Sequence, residues 1–289
     1  MSKKVKIICT IGPSSYNPRI LKTLKSRGAD FFRINLSHTD EDEIEGKILE
    51  LKKYGLPVII DTEGPQIRTG NTYEIFLKDG QEIRLFNKTI ACDENNLFLT
   101  PTNILDKLSV GDLFSVDFNS VLLTISNIDS LSDKGYVICK VLIGGVVGGR
   151  KGVHLEGRVD LPTFSHKDLK AIELAKEHNI KTFTLSFVSK KEDLLLFKKL
   201  YPGAIFYSKI ETKKAIDNID DILELSNGIL MDRGDLSREV PIEKIPLVQK
   251  FLINKSRKKG KEVFIATNTL EKMSISLKPD RSEANDIIN

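Results

Sequence analysis

Long apolar runs are missing from this 289-residue sequence, and none approaches the roughly 18–20 residues that a membrane-spanning helix needs. The N-terminus is basic because of Lys3 and Lys4, and the apolar stretch Val5–Gly12 that follows is interrupted by Lys6. No small-residue cleavage site comes after that stretch. The pattern therefore predicts neither a signal peptide nor a membrane anchor.

The sequence also has few cysteines and only a small net charge. The three cysteines, Cys9, Cys92 and Cys139, lie far apart, and an odd, irregularly spaced set argues against a disulfide framework and against a zinc site. A reducing cytoplasm fits this composition best. The net charge of +4 is weak, and the dense basic run at residues 255–261 is typical of a solvated helix end. We expect neither nucleic acid nor a membrane as a partner.

What the sequence does contain is an alternation of β-rich runs with helical patterns. The β-rich runs are residues 5–11, 30–36, 57–62, 181–187, 204–210, 228–231 and 262–266. Each is mostly apolar on both faces, which is typical of buried parallel strands. Repeated βαβ units predict an α/β fold of the TIM-type (β/α) barrel class, with seven of the eight strands that a closed barrel has.

The alternation is interrupted near residue 70. From Tyr73 to about Val147 the sequence shows short strands and turn signals but no convincing long helix, which predicts an inserted β-rich domain. The glycine-rich segment 144–149 is interpreted as a flexible return connection. We therefore expect a barrel domain of residues 1–69 and 153–289, incomplete at its end, and an inserted domain of residues 70–152. In an open barrel the first and seventh strands are exposed edges, so a second copy or a partner segment is expected to complete it.

Polar residues lie at the ends of all seven predicted strands, and four of these ends carry ionisable residues. The carboxyl ends of parallel strands meet at one edge of a sheet, where βα folds place their chemistry. Arg33, Arg68 and Lys209 supply positive charge that suits phosphoryl oxygens. Glu211 and Asp235 are oxygen ligands of the kind that Mg²⁺ takes. Alone, the Lys209 and Glu211 pair would be typical of a structural ion pair, but the shared position of so many charged groups favours a site.

Neighbouring polar residues add to this candidate site. Gly234 would let the backbone approach a ligand closely. The residues Asn35, Ser37, Asp61 and Thr62 could form an oxygen cage for a monovalent cation.

Ordered motifs along the chain resemble those of the pyruvate kinase family. They are residues 6–15, 33–38, 61–70, 150–155, 208–211, 233–236, 266–268 and 281–283. The set covers almost the whole chain and is highly specific for the family, though not for activity. The resemblance implies that the inserted domain is a small β-barrel lid. It also implies a glycolytic phosphotransferase that moves a phosphoryl group from phosphoenolpyruvate to ADP, giving pyruvate and ATP.

The resemblance also implies a role for each matching residue. The implied catalytic residues are Lys209, Thr267 and Arg33: Lys209 would stabilise charge on the phosphoryl group and the enolate, and Arg33 would bind the substrate phosphate. The residues implied to position the substrate carboxylate are Gly234, Asp235 and Thr267. The implied ligands are Glu211 and Asp235 for Mg²⁺ (or Mn²⁺), and Asn35, Ser37, Asp61 and Thr62 for K⁺. The implied nucleotide contacts are Asn35, His38, Arg68 and Lys151.

Several positions depart from the family pattern. Glu63 stands where the family has lysine, and Gln66 stands where it has glutamate, or lysine in K⁺-independent members, so the need for K⁺ is left open. Phe118 replaces an acidic residue of the lid, and Asn268 replaces a glutamine. The chain also ends before the eighth strand and the family's C-terminal domain.

Three functions therefore stay open. The first is a phosphotransferase of the pyruvate kinase type. The second is a diverged Mg-dependent enolate enzyme, such as a lyase, aldolase or decarboxylase, which Phe118 favours. The third is a non-catalytic relative, which the missing eighth strand favours.

Overall fold

The chain divides into two compact units, residues 1–65 with 162–289 and residues 66–161. The structure is a computed structural model that describes residues 5–71, 73–116, 120–155, 161–267, 269–281 and 283–284. The boundaries predicted from the sequence, after residues 69 and 152, stay predictions. Among the described residues, no helix combines the length and the apolar character needed to cross a membrane.

The first unit begins with two strand–helix repeats and a third strand. The strands are β1 (Ile8–Thr10), β2 (Phe31–Asn35) and β3 (Val58–Asp61), and the helices are α1 (Pro18–Ser26) and α2 (Ile44–Lys53). Helix α1 begins at Pro18 because the Asn17 side-chain oxygen accepts the Arg19 N–H, and because proline needs no bond at this position. All four residues of β3 are buried, as expected for a central parallel strand.

The second unit is β-rich, as predicted. Its elements are β4 (Ile67–Thr69), β5 (Ile75–Leu77), β6 (Glu82–Phe86), β7 (Asn96–Thr100), β8 (Leu113–Val116), β9 (Val121–Asn127), α3 (Leu131–Lys134), β10 (Tyr136–Ile143), β11 (Gly145–Val147) and β12 (Gly152–Leu155). Seven strands close into a barrel in the order β10-β6-β7-β4-β12-β8-β9, and β5 pairs with β11. Apolar side chains such as Leu85, Phe114 and Val137 fill the core of this unit.

The prediction of a flexible connection at residues 144–149 is wrong. Residues 145–147 form β11, in which Gly145 lies opposite Leu77 of β5. A Cβ atom on Gly145 would lie 2.4 Å from the carbonyl oxygen of Ser120. The glycine therefore serves a close backbone approach within a strand rather than flexibility.

The first unit then resumes its strand–helix alternation. Its remaining strands are β13 (Thr182–Leu185), β14 (Ile205–Ile210), β15 (Gly228–Asp232) and β16 (Glu262–Ala266). Its helices are α4 (His166–Glu177), α5 (Lys191–Leu200), α6 (Lys213–Asp217), α7 (Ile219–Leu225), α8 (Arg233–Leu236) and α9 (Ile245–Lys258). The sequence from Lys213 to Leu225 predicts a single helix, but the structure has two, α6 and α7, which meet at Asn218. There the backbone leaves helical geometry (φ −96°, ψ 17°), and the side-chain amide donates to the Ser189 carbonyl at 2.7 Å.

The seven strands of this unit form one parallel sheet in the order β1-β2-β3-β13-β14-β15-β16. This order follows the chain, and helices separate successive strands, which confirms the predicted TIM-type α/β class with seven strands. Phe183, Phe197 and Phe206 pack edge to face within the main core of the unit. Lys6, which precedes the end strand β1, forms an ion pair with Glu262, the first residue of the other end strand, β16.

A buried carboxylate joins the loop after β3 to the start of α4. Asp168 is fully buried and accepts the backbone N–H groups of Glu63 at 2.7 Å, Gly64 at 2.9 Å and Ser165 at 3.0 Å. Ser165 in turn caps the helix by accepting the N–H of Asp168, which completes a capping box. One side chain therefore satisfies three backbone donors at the edge that carries the polar strand ends.

We expect Asp168→Ala to lower the free energy of unfolding by about 3 kcal/mol or more, because it leaves three buried N–H groups without an acceptor. Urea denaturation followed by far-UV circular dichroism measures the change. Glu173→Ala, at an exposed position of α4, is the matched control and should change stability by less than about 0.5 kcal/mol. Equal effects of the two substitutions would contradict this role of Asp168.

Candidate active site

The polar residues of the candidate site lie where parallel strands of the first unit end. Arg33 lies on β2, Asp61 ends β3, and Lys209 lies near the end of β14, followed by Glu211. Asp232 ends β15, and Thr267 follows β16. All these strands run in the same direction, so their carboxyl ends share one edge of the sheet.

The ammonium group of Lys209 lies at the centre of the site. Its Nζ is 2.7 Å from Glu211 Oε1, 3.5 Å from Asp232 Oδ2 and 3.7 Å from Asp61 Oδ1. It also donates to Ser186 Oγ at 3.2 Å. Only 7% of the Lys209 side chain is exposed, so this cation is held by carboxylates rather than by bulk water.

Burial and charge oppose each other in this cluster. Burial lowers the pKa of Lys209, but Asp61, Glu211 and Asp232 outweigh it and raise that pKa above its ordinary value. Burial raises the pKa of Glu211, Lys209 opposes the rise, and the charges of Asp232 and Asp235 add to it. Burial also raises the pKa of Asp232, but Lys209, the Thr267 hydroxyl and Arg33 more than offset this and lower it. Lys209 therefore stays protonated, and the carboxylates compete for a limited supply of positive charge.

Arg33 is anchored beside this cluster. Its Nη1 lies 3.1 Å from Asp61 Oδ2, and its Nε donates to Thr10 Oγ1 at 2.8 Å. Asp61 also accepts from Thr184 Oγ1 at 2.5 Å. These contacts hold the guanidinium close to Lys209 through the shared Asp61 carboxylate, so that two cations lie at the same strand ends.

Three carboxylates in the site are placed to hold a divalent cation. One oxygen each from Glu211, Asp232 and Asp235 lies within 4.8 Å of the others. Glu211 Oε1 is buried and receives no well-formed hydrogen bond from the described residues, although Lys209 is its ion-pair partner. A hard cation such as Mg²⁺ prefers these oxygen ligands, so the residues present fit it.

Two residues beside the acids have left-handed backbones. Phe187 has a φ angle of 54°, and its N–H donates to Glu211 Oε2 at 2.6 Å. Thr267 has a φ angle of 71°, and its hydroxyl donates to Asp232 Oδ1 at 2.6 Å. Arg233 holds the Thr267 carbonyl by donating from Nη2 at 2.7 Å and from Nε at 3.1 Å. Such conformations are costly outside glycine and are concentrated at functional sites, where they aim donors.

Gly234 lies at the start of α8, next to Thr267. A Cβ atom at Gly234 would be 3.1 Å from Thr267 Cγ2. A side chain there would press on the threonine, so the glycine keeps the space beside Thr267 open.

The four predicted K⁺ ligands are already engaged within the chain or buried. Asn35 Oδ1 accepts the Ser37 N–H at 3.0 Å, and Thr62 Oγ1 accepts the Ser186 N–H at 2.8 Å. Asp61 faces both Arg33 and Lys209. The monovalent cation site therefore stays a prediction.

Two predicted nucleotide contacts line a cavity of about 800 Å³ in the first unit, at the ends of β1 and β2. Asn35 and His38 lie in its wall with Thr10, Tyr16 and Lys47. The cavity has the size typical of small-molecule sites, which run from about 300 to 1,000 Å³. It brings polar groups together with the apolar surface of Pro13 and Ile11.

The other two predicted nucleotide contacts belong to the second unit. Arg68 lies on β4, where Nη2 donates to Gln66 Oε1 at 2.6 Å and Nη1 donates to the Arg150 carbonyl at 2.8 Å. Lys151 precedes β12, and its N–H donates to Thr69 Oγ1 at 2.8 Å. Phe118 and Asn268, two of the four substituted positions that depart from the family pattern, lie outside the described residues.

Sequence reasoning missed three contributors to the site. From the sequence, no role is predicted for Asp232, although this residue contacts both Lys209 and Thr267. Thr184 and the backbone of Phe187 were missed because they act on Asp61 and Glu211 rather than on a ligand. Only Asp232 had a signal in the sequence, an acid directly after an apolar strand.

Comparisons with known proteins agree on one family. The chain matches the model of the pyruvate kinase barrel domain over residues 2–289. It is 33% identical over 300 aligned positions to pyruvate kinases of Staphylococcus epidermidis and Staphylococcus aureus, and the alignments cover 99% of this chain. They cover 51% of each relative, so the chain spans about half the length of these curated relatives.

We expect Lys209→Met to lower the free energy of unfolding by about 3–5 kcal/mol in the absence of divalent cations, because Asp61, Glu211 and Asp232 then lose the buried cation that they share. Urea denaturation at pH 7.5 with a chelator measures the loss. Lys199→Met, at an exposed position near the end of α5, is the control and should change stability by less than about 0.5 kcal/mol. A loss no larger than that of the control would show that Lys209 does not neutralise the cluster.

Proposed function

This chain belongs to the pyruvate kinase family, and we propose that it transfers a phosphoryl group from phosphoenolpyruvate to ADP in glycolysis. The observation that carries the proposal is the Lys209 ammonium, which shares the Asp61 carboxylate with Arg33 and lies beside two further acids, Glu211 and Asp232. Phosphoryl transfer depends chiefly on positioning and on fixed positive charge, and this arrangement supplies both.

Each cation in the site has a task in the proposed reaction. The bond between phosphorus and the enol oxygen breaks, and a bond forms between phosphorus and a terminal oxygen of ADP. Arg33 binds the phosphoryl oxygens, and Lys209 faces the charge that moves from the phosphoryl group to the enolate oxygen. The enolate then takes up a proton at carbon and becomes pyruvate, which makes the transfer favourable.

The carboxylates would hold the divalent cation, and Thr267 the substrate. Mg²⁺ or Mn²⁺ held by Glu211 and Asp235 would polarise the phosphoryl and carboxylate oxygens. Gly234, Asp235 and Thr267 would position the substrate carboxylate, since the space beside Thr267 is kept open. K⁺ at Asn35, Ser37, Asp61 and Thr62 is also proposed on the family's general use of it.

The cavity at the ends of β1 and β2 is proposed to receive the nucleotide. Asn35 and His38 line it, together with Lys47, which pairs with Glu43 of the same wall at 2.8 Å. Arg68 and Lys151, which belong to the second unit, are proposed as nucleotide contacts on the family resemblance.

The partners and location follow the family too. The outer edges of β1 and β16 end the sheet, and we propose that a second copy or another segment pairs there. A reducing cytoplasm suits the free thiols of Cys9, Cys92 and Cys139.

An enolate enzyme that uses no nucleotide is the second candidate. Lys209 and the three carboxylates would stabilise an enolate equally well without ADP, and this cluster is the most buried part of the site. The nucleotide cavity is what favours the phosphotransferase over this alternative.

Pyruvate should form from phosphoenolpyruvate only when both ADP and Mg²⁺ are present, as measured by NADH consumption with coupled lactate dehydrogenase. Lys209→Arg should lower kcat about 10²-fold, because the guanidinium keeps the charge but cannot occupy the same point. Circular dichroism shows whether the variant is folded, and Lys199→Met should leave kcat unchanged.

The other outcomes separate the competing functions. Pyruvate or another keto acid formed without ADP would support the enolate enzyme. If the folded protein shows no turnover under any of these conditions, both enzymatic proposals are rejected, and the remaining function is that of a non-catalytic relative.

His38→Ala should raise the KM for ADP about tenfold and leave the KM for phosphoenolpyruvate unchanged, because it removes a polar contact from the nucleotide cavity alone. Initial rates at varied ADP and fixed saturating phosphoenolpyruvate measure the effect. His166→Ala is the control, since its side chain is 86% exposed on α4. An unchanged KM for ADP would place the nucleotide elsewhere.

A further inference from the structure

Asp232 ends β15, and its side chain is turned into the site. Only 13% of this side chain is exposed. Its Oδ1 accepts the Thr267 hydroxyl at 2.6 Å, and its Oδ2 lies 3.5 Å from Lys209 Nζ. Neither contact saturates the carboxylate, because each oxygen of a carboxylate can accept at least two partners. The side chain therefore keeps acceptor capacity towards its neighbours.

Those neighbours are the two proposed ligands of the divalent cation. Oxygens of Glu211, Asp232 and Asp235 lie within 4.8 Å of one another. In an octahedral site with ligands at about 2.1 Å, opposite ligand atoms are about 4.2 Å apart, so this spacing needs only small adjustments. Glu211 Oε1, in a side chain with no exposed surface, faces Lys209 Nζ at 2.7 Å as its ion-pair partner among the described residues, which leaves it acceptor capacity for a cation.

The charges of the cluster also favour a bound divalent cation. Among the described residues, its three carboxylates form ion pairs with two cations, Lys209 and Arg238, which lies 3.2 Å from Asp235 Oδ1. Lys209 is also shared with Asp61, so that, with Arg33 counted as the second partner of Asp61, four acids of the described residues face three cations. A bound divalent cation would compensate this excess of acidic groups, whereas the anionic substrate would not.

We infer that Asp232 is a third carboxylate of the divalent cation site and that it tightens cation binding in the substrate-free protein. Mg²⁺ usually takes only one or two carboxylates from a protein and completes its shell with water and substrate oxygens. An additional acid raises the affinity for the cation before any substrate oxygen is present. This inference rests on the proposed function, since it assigns a further ligand to the same site.

Mn²⁺ binding to the full chain without any substrate tests the inference, with free Mn²⁺ measured by electron paramagnetic resonance. We expect the parent protein to bind one Mn²⁺, and Asp232→Asn to weaken this binding about tenfold or more. The asparagine keeps an oxygen to accept from Thr267, so the substitution removes mainly the charge. Asp221→Asn, at an exposed position of α7, makes the same change of charge outside the cluster and should leave the affinity unaltered.

Two results would overturn the inference. One is equal Mn²⁺ affinity of the parent and the folded Asp232→Asn variant, and the other is equal loss in Asp232→Asn and Asp221→Asn. If Asp232→Asn does not fold, Asp232→Glu serves instead: it keeps the charge but moves it by one methylene group, and unchanged affinity would again reject the role. Tight Mn²⁺ binding that depends on Asp232, in a protein without turnover, would uphold this inference while the proposed function fails.

Discussion

The buried ammonium of Lys209 is the group on which the rest of the site depends. Carboxylates from three separate strand ends lie within 3.7 Å of it, and none of them could stay ionised at this depth without positive charge nearby. The lysine in turn keeps its charge only because the acids outweigh its burial. The cluster is therefore mutually dependent: removing one member changes the protonation of the others.

The parallel sheet makes this dependence possible. Neighbouring parallel strands bring residues that are far apart in sequence to one edge at fixed spacing, so Asp61, Lys209 and Asp232 meet without long flexible loops. Supporting contacts then fix their orientation. Asp168 ties down the loop after β3, and the left-handed Phe187 directs its N–H at Glu211. Rigid support of this kind is what electrostatic stabilisation of a reacting group needs, because loose charges would be screened or would reorient.

Sequence patterns predicted the parallel strands and the residues at their ends well, because buried strands are apolar on both faces and polar residues after them stand out. They could not predict that the helical segment 213–225 divides at Asn218, where the side chain contacts the Ser189 carbonyl, because this contact joins residues 29 positions apart in the chain. The glycine-rich segment 144–149 was wrongly predicted to be a flexible connection, because glycine is the residue that suits both a flexible connection and a close approach of two backbones. Asp232 received no role because a single acid carries no information about its distance from Lys209.

The arrangement of charge also bears on the choice between the competing functions. A non-catalytic relative would gain little from keeping a buried lysine among three acids, since apolar residues of similar volume would serve stability as well or better. Retention of the cluster therefore favours a role in binding or chemistry. An enolate enzyme would need Lys209 and the acids but would have no use for a cavity of about 800 Å³ lined by Asn35 and His38. A phosphotransferase would use both features, the cluster for the phosphoryl donor and the cavity for the acceptor.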